Sequence, residues 1–322
     1  MVKKKDKKTK KNFTINTIKK RNKTKVTLLV IVIFIAIFLV GVYAKTGFLQ
    51  SYKIDSRDLD YWDYSKEQIL NSQEIMLDGD TQHCWLLVHG YSSSPYELKT
   101  LAQEINKEFG EKVIVPKLIG HGQVPSKILN LTLDDWYVQI KQEHETLEKE
   151  CGKISLIGFS FGGTLASRLA EEKSVSSIYL VSPYIRARYK WIRIIPLETY
   201  MYLTADWTIY SKKVRIAQIN NPHEFGNHIA YWNMPFQPVK YSADFIKQTV
   251  EGLNKISAPI LIQQSINDDT ADFKSSEIIF NGVSSEIKEL VQFTESNHVL
   301  FADYDKQEAI DNIINFEKEL RK

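Results

Sequence analysis

From residue 74 to the C-terminus, short apolar runs alternate with longer stretches in which apolar residues recur every three or four positions. The runs are Trp85-Leu86-Leu87-Val88, Val113-Ile114-Val115, Ile154-Ser155-Leu156-Ile157, Ser177-Ile178-Tyr179-Leu180-Val181, Pro259-Ile260-Leu261-Ile262-Gln263-Gln264 and Leu290-Val291-Gln292-Phe293. All read as strands, and the continuous apolar run Trp85–Val88 suits a strand of a parallel sheet covered on both faces. Glu74-Ile75-Met76-Leu77, closed by Asp78-Gly79-Asp80, reads as an edge strand. The intervening stretches carry helix signals. One has Pro95 in its first turn, an apolar face of Leu98, Leu101, Ala102 and Ile105, and a stop at Gly110. A second opens on Thr132 with Asp135 three residues on, a capping box, and is lined by Trp136, Ile140 and Leu147. A last helix starts near Asp305 with Glu308 as its capping partner, and carries Ile310, Ile313, Ile314 and Leu320. Strand and helix in alternation predict a doubly wound α/β sheet. The alternation lapses over Ser182–Ile256, which is rich in aromatic residues: Tyr184, Tyr189, Trp191, Tyr200, Tyr202, Trp207, Tyr210, Tyr231, Trp232 and Phe236.

One junction stands out chemically. The run ending at Ile157 passes through Gly158-Phe159-Ser160-Phe161-Gly162 into the helical spacing of Leu165, Ala166, Leu169 and Ala170. This G-x-S-x-G between strand and helix is the signature of a sharp turn that presents a serine hydroxyl, with glycines where a side chain would clash. A serine nucleophile needs a base, and the base needs an orienting acid. Both are available at later strand ends and in the order Ser, Asp, His: Asp268 or Asp269 after the fifth of the long runs, and His298 after the last. His89-Gly90-Tyr91-Ser92 closes the first run, where a backbone amide would face the same point.

The pieces LLVHGYSSSPYEL (86–98), VPKLIGHGQVP (115–125), TLDDW (132–136) and LIGFSFGG (156–163), with the Asp268 and His298 loops, resemble an α/β-hydrolase of the bacterial carboxylesterase and monoacylglycerol-lipase branch, near the serine-aminopeptidase-like group. The resemblance spans roughly residues 80–322 and implies a mostly parallel sheet with helices on both faces. It also implies a lid over the active site at about 182–256, whose aromatics would wall an apolar acyl pocket as well as pack the lid itself. It further implies Ser160 as nucleophile, His298 as base, and an oxyanion hole from the backbone N–H groups of Tyr91 and Phe161. The family's pattern after the acid has apolar residues at +2 and +3, Pro at +5 and Ser at +7. Neither aspartate matches in full; Asp268 matches better, and the loop lacks the proline. Asp269 is then a solvated neighbour. His89 and His121 are implied to organise loops. His83, His144, His223 and His228 have no partner visible in the sequence and are expected on the surface.

Charge changes the picture only at the amino terminus. The chain of 322 residues has a net charge of +3, yet residues 1–25 hold twelve Lys/Arg and one acid, so the remainder is net −8. Val26 to Ala44 carries no charge, and as a helix it would be about 28 Å long, close to the ~30 Å hydrocarbon core of a bilayer. Excess Lys/Arg on its N-terminal side places that side in the cytoplasm and the enzyme domain outside. The basic tail is accounted for by topology and contact with anionic lipid, not nucleic acid. A signal peptide cleaved after Ala44 competes with an uncleaved anchor, but signal-peptide apolar regions are usually about 7–15 residues, shorter than this one. The expected organisation is a cytoplasmic tail (1–25), a transmembrane anchor (26–44), a juxtamembrane stalk (45–73) with aromatics that pack on the domain, and the hydrolase domain (74–322).

No Cys/His spacing suits zinc and no G-x-x-x-x-G-K-[ST] suits a nucleotide, so no cofactor or metal is implied. The two cysteines, Cys84 and Cys151, fall near the starts of two strands that the fold makes neighbours. A disulfide and a pair of buried thiols are both compatible with that placement. The function read from the sequence is a membrane-anchored serine hydrolase acting on a lipid or small acyl ester through an acyl-enzyme. An acyltransferase or serine peptidase with the same triad, and a non-catalytic hydrolase-fold binding module, are the alternatives.

Overall fold

The computed structural model describes residues 23–41, 62–63, 68–188, 191–192, 195–196, 210–212, 218–224 and 230–322. The chain divides into two units, Met1–Gln50 and Ser51–Lys322. In the first, helix α1 (Lys23–Gly41) has 19 residues and a mean hydropathy of 2.7, long and apolar enough to cross a membrane. It begins three residues before the uncharged run, and Val42–Ala44 lie outside the described residues.

The second unit is built on a seven-stranded sheet: β1 (Ile75–Leu77), β2 (Asp80–Val88), β3 (Glu111–Val115), β4 (Ile154–Phe159), β5 (Ser177–Val181), β6 (Ile260–Ser265) and β7 (Lys288–Phe293). The spatial order is β7-β6-β5-β4-β2-β3-β1. All neighbours are parallel except the edge pair β1–β3. Alternate residues of the strands feed two apolar layers, as the period of two requires. Leu86, Leu156, Ile178 and Ile262 pack with Trp136 of α3 (Leu133–Glu150) and Leu165 of α4 (Phe161–Ala170). Trp85, Ile157, Tyr179 and Leu261 pack with Leu101 and Ile105 of α2 (Lys99–Phe109) and with Ile310 and Ile313 of α7 (Lys306–Leu320). Two further helices are α5 (Ser242–Gly252) and α6 (Lys274–Gly282). Phe245 of α5 is buried against Tyr137, so this part of the stretch between β5 and β6 belongs to the core. The described end of the juxtamembrane segment also docks on the domain: Ile69 is buried, its N–H donates to Gly122 O, and Ser72 Oγ donates to Ile69 O.

The caps follow the sequence with one correction. Thr132 and Asp135 form the reciprocal capping box, and Gly110 ends α2 at φ 68°. Asp305 precedes α7, but Glu308 does not cap it. The Asp305 carboxylate instead accepts from Ser296 N, while Asp305 N donates to Ser296 Oγ. A partner nine residues away displaces the local one because it also closes the loop after β7.

Two histidines expected on the surface are buried. His144 on α3 has no exposed surface, and burial lowers its pKa. His83 lies in a polar network at the end of the sheet opposite Ser160. Its Nδ1 accepts from Arg321 Nη2 (2.8 Å) and its Nε2 donates to Ser155 Oγ (2.7 Å). Arg321 also binds Glu111 and Glu317, Trp85 Nε1 donates to Glu111, and Tyr179 OH donates to Glu317. Burial lowers the pKa of His83 against the opposing pull of Glu317 and Glu111, in keeping with an acceptor at Nδ1. None of these partners is near His83 in sequence except Trp85. His223 is exposed as expected, and His228 lies outside the described residues.

Cys84 and Cys151 form a disulfide with Cα atoms 6.0 Å apart. The register pairs Cys84 with Ile154, not with Cys151. The offset is taken up where Gly152 N donates to Thr81 O and Cys84 N donates to Lys153 O, folding the end of α3 back against β2. The bond closes a sequence separation of 67 residues. Cys151→Ser is expected to lower unfolding free energy by about 2–4 kcal/mol. Alkylation of denatured protein without reductant should add no alkyl group. Two added groups would show free thiols.

Candidate active site

The parallel register brings four loops to one end of the sheet. Val88 stands level with Gly158, Phe159 with Val181, Gln263 with Val181, and Ser265 with Phe293. The turns after β2, β4, β6 and β7 therefore open on a shared space. Ser160 adopts φ 55° and ψ −122°, a conformation that costs a non-glycine residue free energy. The glycines around it are fixed by sterics. A Cβ on Gly162 would lie 2.1 Å from Val88 O, and one on Gly158 would lie 2.4 Å from Gly162 O.

Across that space, His298 Nε2 is 2.9 Å from Ser160 Oγ and His298 Nδ1 is 2.8 Å from Asp268 Oδ2. All three side chains are buried. A carboxylate at Nδ1 demands the N–H there, which leaves the Nε2 lone pair facing the serine hydroxyl. Asp268 is held in turn by Thr270 N and Ala271 N on Oδ1 and by Gln264 Nε2 on Oδ2. Asp269 differs from its expected solvated role. It is half-buried on the wall of the adjoining cavity, with Oδ1 accepting from Thr270 Oγ1.

The loop after β2 approaches closely, since a Cβ on Gly90 would lie 3.2 Å from Ser160 Cβ. Its amides are mostly committed: Gly90 N donates to Glu97 Oε2 and Ser92 N to His121 Nε2. Among the described residues the Tyr91 amide between them makes no hydrogen bond. Phe161 N, at the first position of α4, has no intrahelical acceptor. Tyr91 and Phe161 both line the cavity beside Ser160, Phe161 at the positive end of a helix. His89 bridges Gly90 O and Leu118 N, and burial pushes its pKa down to about 4, so it is a neutral strut between loops. His121 is likewise pushed far down by burial.

Beside Ser160 lies a cavity of about 220 Å³. Phe161, Tyr184, Met234, Phe236 and Val239 make its walls largely apolar, with Gln218, Asp269 and Thr270 at a polar side. Tyr184 and Phe236 come from the aromatic stretch between β5 and β6. Tyr210 and Tyr231 of the same stretch are buried.

An alpha/beta hydrolase family model matches residues 85–310. The chain belongs to the alpha/beta hydrolase family. This hydrolase is 30% identical over 231 residues to a thermostable monoacylglycerol lipase of Bacillus sp. (strain H-257), covering 72% of this chain and 88% of the relative. It is 21% identical over 243 residues to a carboxylesterase of Bacillus subtilis (strain 168), covering 73% and 92%. A solved Paleococcus ferrophilus monoacylglycerol lipase superposes with a TM-score of 0.67 at 18% identity, covering 77% of this chain and 98% of that one. At that identity the likeness speaks for the fold.

Some supports of the site in this hydrolase were not visible in the sequence. Ser182 sits at φ 47° after β5, and its Oγ donates to His298 O at 2.8 Å. Asn297 and Asp303 organise the His298 loop. The positive φ of Ser182 has a local cause, the turn out of β5; Asn297 and Asp303 combine bonds within their own loop with bonds to Asp269 N, Asn220 N and Asn221 N.

Proposed function

We propose that this hydrolase is a membrane-anchored serine hydrolase that cleaves carboxylic esters of lipids or small acyl compounds. The observation that carries the reading is the relay Asp268–His298–Ser160 at the floor of an apolar cavity. In the proposed mechanism Ser160 Oγ attacks the ester carbonyl carbon while His298 Nε2 takes its proton. Asp268 holds the imidazole tautomer and stabilises the imidazolium that forms. The amides of Tyr91 and Phe161 donate to the carbonyl oxygen as it gains negative charge. His298 then delivers the proton to the departing alcohol oxygen, leaving the acyl group on Ser160. Water, deprotonated by His298, attacks that acyl-enzyme and releases the acid. The names of the Bacillus relatives, monoacylglycerol lipase and carboxylesterase, support an ester as the substrate.

Esters of p-nitrophenol with graded acyl chains, run beside aminoacyl-p-nitroanilides, test this. Ester hydrolysis without anilide cleavage is expected. The cavity is smaller than the ~300–1,000 Å³ of common ligand pockets, so rates should peak at short to medium chains. Cleavage confined to anilides would replace the esterase reading with a peptidase one. Transfer to an added alcohol or amine in preference to water would make it an acyltransferase.

We place the basic tail (1–25) in the cytoplasm, the anchor (26–44) in the membrane against its lipid, and the stalk and hydrolase domain (45–73 and 74–322, with a lid at about 182–256) outside. The apolar helix and the flanking lysines support this. The protein should fractionate with membranes, and external protease should digest the domain while sparing residues 1–25. A soluble product beginning at Lys45 would mean cleavage instead of anchoring.

A further inference from the structure

The acid loop and the base loop of the relay come from different strands, β6 and β7, and something must hold them in register. One side chain bonds both. Asn297 Oδ1 accepts from His298 N at 2.7 Å and from Asp269 N, the residue after Asp268, at 3.0 Å. Asn297 is 4% exposed, so neither amide has water as a ready substitute. Asn297 is itself held from behind. Its N–H donates to Asp303 Oδ2 at 2.7 Å, and Asp303, also buried, accepts from Asn220 N, Asn221 N and Tyr304 N. Val299 N donates to Gln218 O, and Gln218 is a wall of the cavity. The loops bearing Asp268 and His298 and the segment around Asn220 are thus joined through two buried polar side chains.

We propose that Asn297 is a positioning residue for the reaction, fixing His298 against Asp268 by holding both loops with one oxygen. The proposal rests on the Ser160–His298–Asp268 reading above. Asn297 touches no reacting atom. Its effect is geometric: misplacing a catalytic group by about 1 Å can cost on the order of 10²-fold in rate. Because the same oxygen serves two donors, its loss frees two loops together, whereas the apolar walls Phe161, Tyr184, Met234, Phe236 and Val239 take no bond from it. The consequence falls on kcat and not on KM.

The test uses full-length wild type, Asn297→Ala and Asn297→Asp with p-nitrophenyl butyrate across pH, with fluorophosphonate labelling rates measured in parallel. Asn297→Ala should lose about 10²-fold in kcat, with KM within about threefold and labelling slowed by a similar factor. Asn297→Asp keeps an acceptor for both amides and should recover most of the rate. Its added carboxylate stabilises the imidazolium of His298, so the acid limb of its pH–rate profile should move to higher pH. Recovery of kcat by an acceptor of the same shape, with KM unmoved, is what separates positioning from a general loss of packing. Wild-type kcat in Asn297→Ala overturns the proposal. If Asn297→Ala does not fold, Asn297→Asp decides alone: a folded Asn297→Asp with kcat as low as about 10²-fold below wild type overturns it. If the wild type itself neither hydrolyses esters nor labels, the functional reading fails and this proposal falls with it.

Discussion

Ser160→Ala is expected to abolish ester hydrolysis while leaving the fold intact. Loss of a triad member in serine hydrolases removes about 10⁴–10⁶ of kcat, because no other group can form the acyl-enzyme. The fold should survive because the strained turn does not depend on the hydroxyl. Its partner at Oγ is His298 Nε2, and the turn is held by Ser160 N donating to Val181 O and by the close approaches at Gly158 and Gly162. Alanine meets the same φ with no added atom. Fluorophosphonate labelling and initial rates should vanish together, with a melting temperature close to that of the wild type. Continued labelling of the variant would remove Ser160 from the role.

Asp268→Asn is the second large effect, with a loss on the order of 10⁴-fold in kcat. An asparagine retains one oxygen for Thr270 N and Ala271 N. Its NH₂ then faces His298 Nδ1, where the carboxylate Oδ2 now accepts. Two donors cannot meet there, so the imidazole turns to the tautomer with its proton on Nε2, pointing at Ser160. That histidine cannot take the serine proton. Asp269→Asn should cost far less, since the Asp269 contact to the relay is made by its backbone N–H to Asn297. The comparison is kcat of the two variants on one ester. The reverse ranking would assign the acid role to Asp269.

The parts of this hydrolase that were legible in sequence share a physical cause. Trp85–Val88, Ser177–Val181 and Ile260–Ile262 are buried on both sides, so the apolar pattern had no competitor. Where a strand leaves the core the pattern fails. Asp80–Gln82 extend β2 by three exposed residues that carry no apolar signal. Gln263 and Gln264 are fully buried in β6 although they are polar. They are satisfied by Ala309 O, by Asp268 and by Ser276, partners far from them or on the next turn. Ser160 and His298 could be picked out as candidates because the chemistry fixes their types and the fold fixes their order, and the structure brings them within 2.9 Å. The choice of Asp268 over Asp269 turned on a loop count, and the bonds of Asp268 to Gln264, Thr270 and Ala271 supply the geometry that the count could not. His83, Asn297 and Asp303 were illegible for the opposite reason. Each takes at least one partner from another element, and nothing in the local run distinguishes a bonded polar side chain from a solvated one.

The proposed chemistry passes through a covalent acyl intermediate at one hydroxyl. The most direct measurement is rapid acid quench of the full-length protein during turnover of a p-nitrophenyl ester, followed by trypsin and mass spectrometry of the peptide Ile154–Arg168. That peptide should gain the mass of the acyl group, located at Ser160, with the adduct decaying at the turnover rate. Steady hydrolysis with an unmodified peptide, or an adduct on any other residue, would contradict the mechanism.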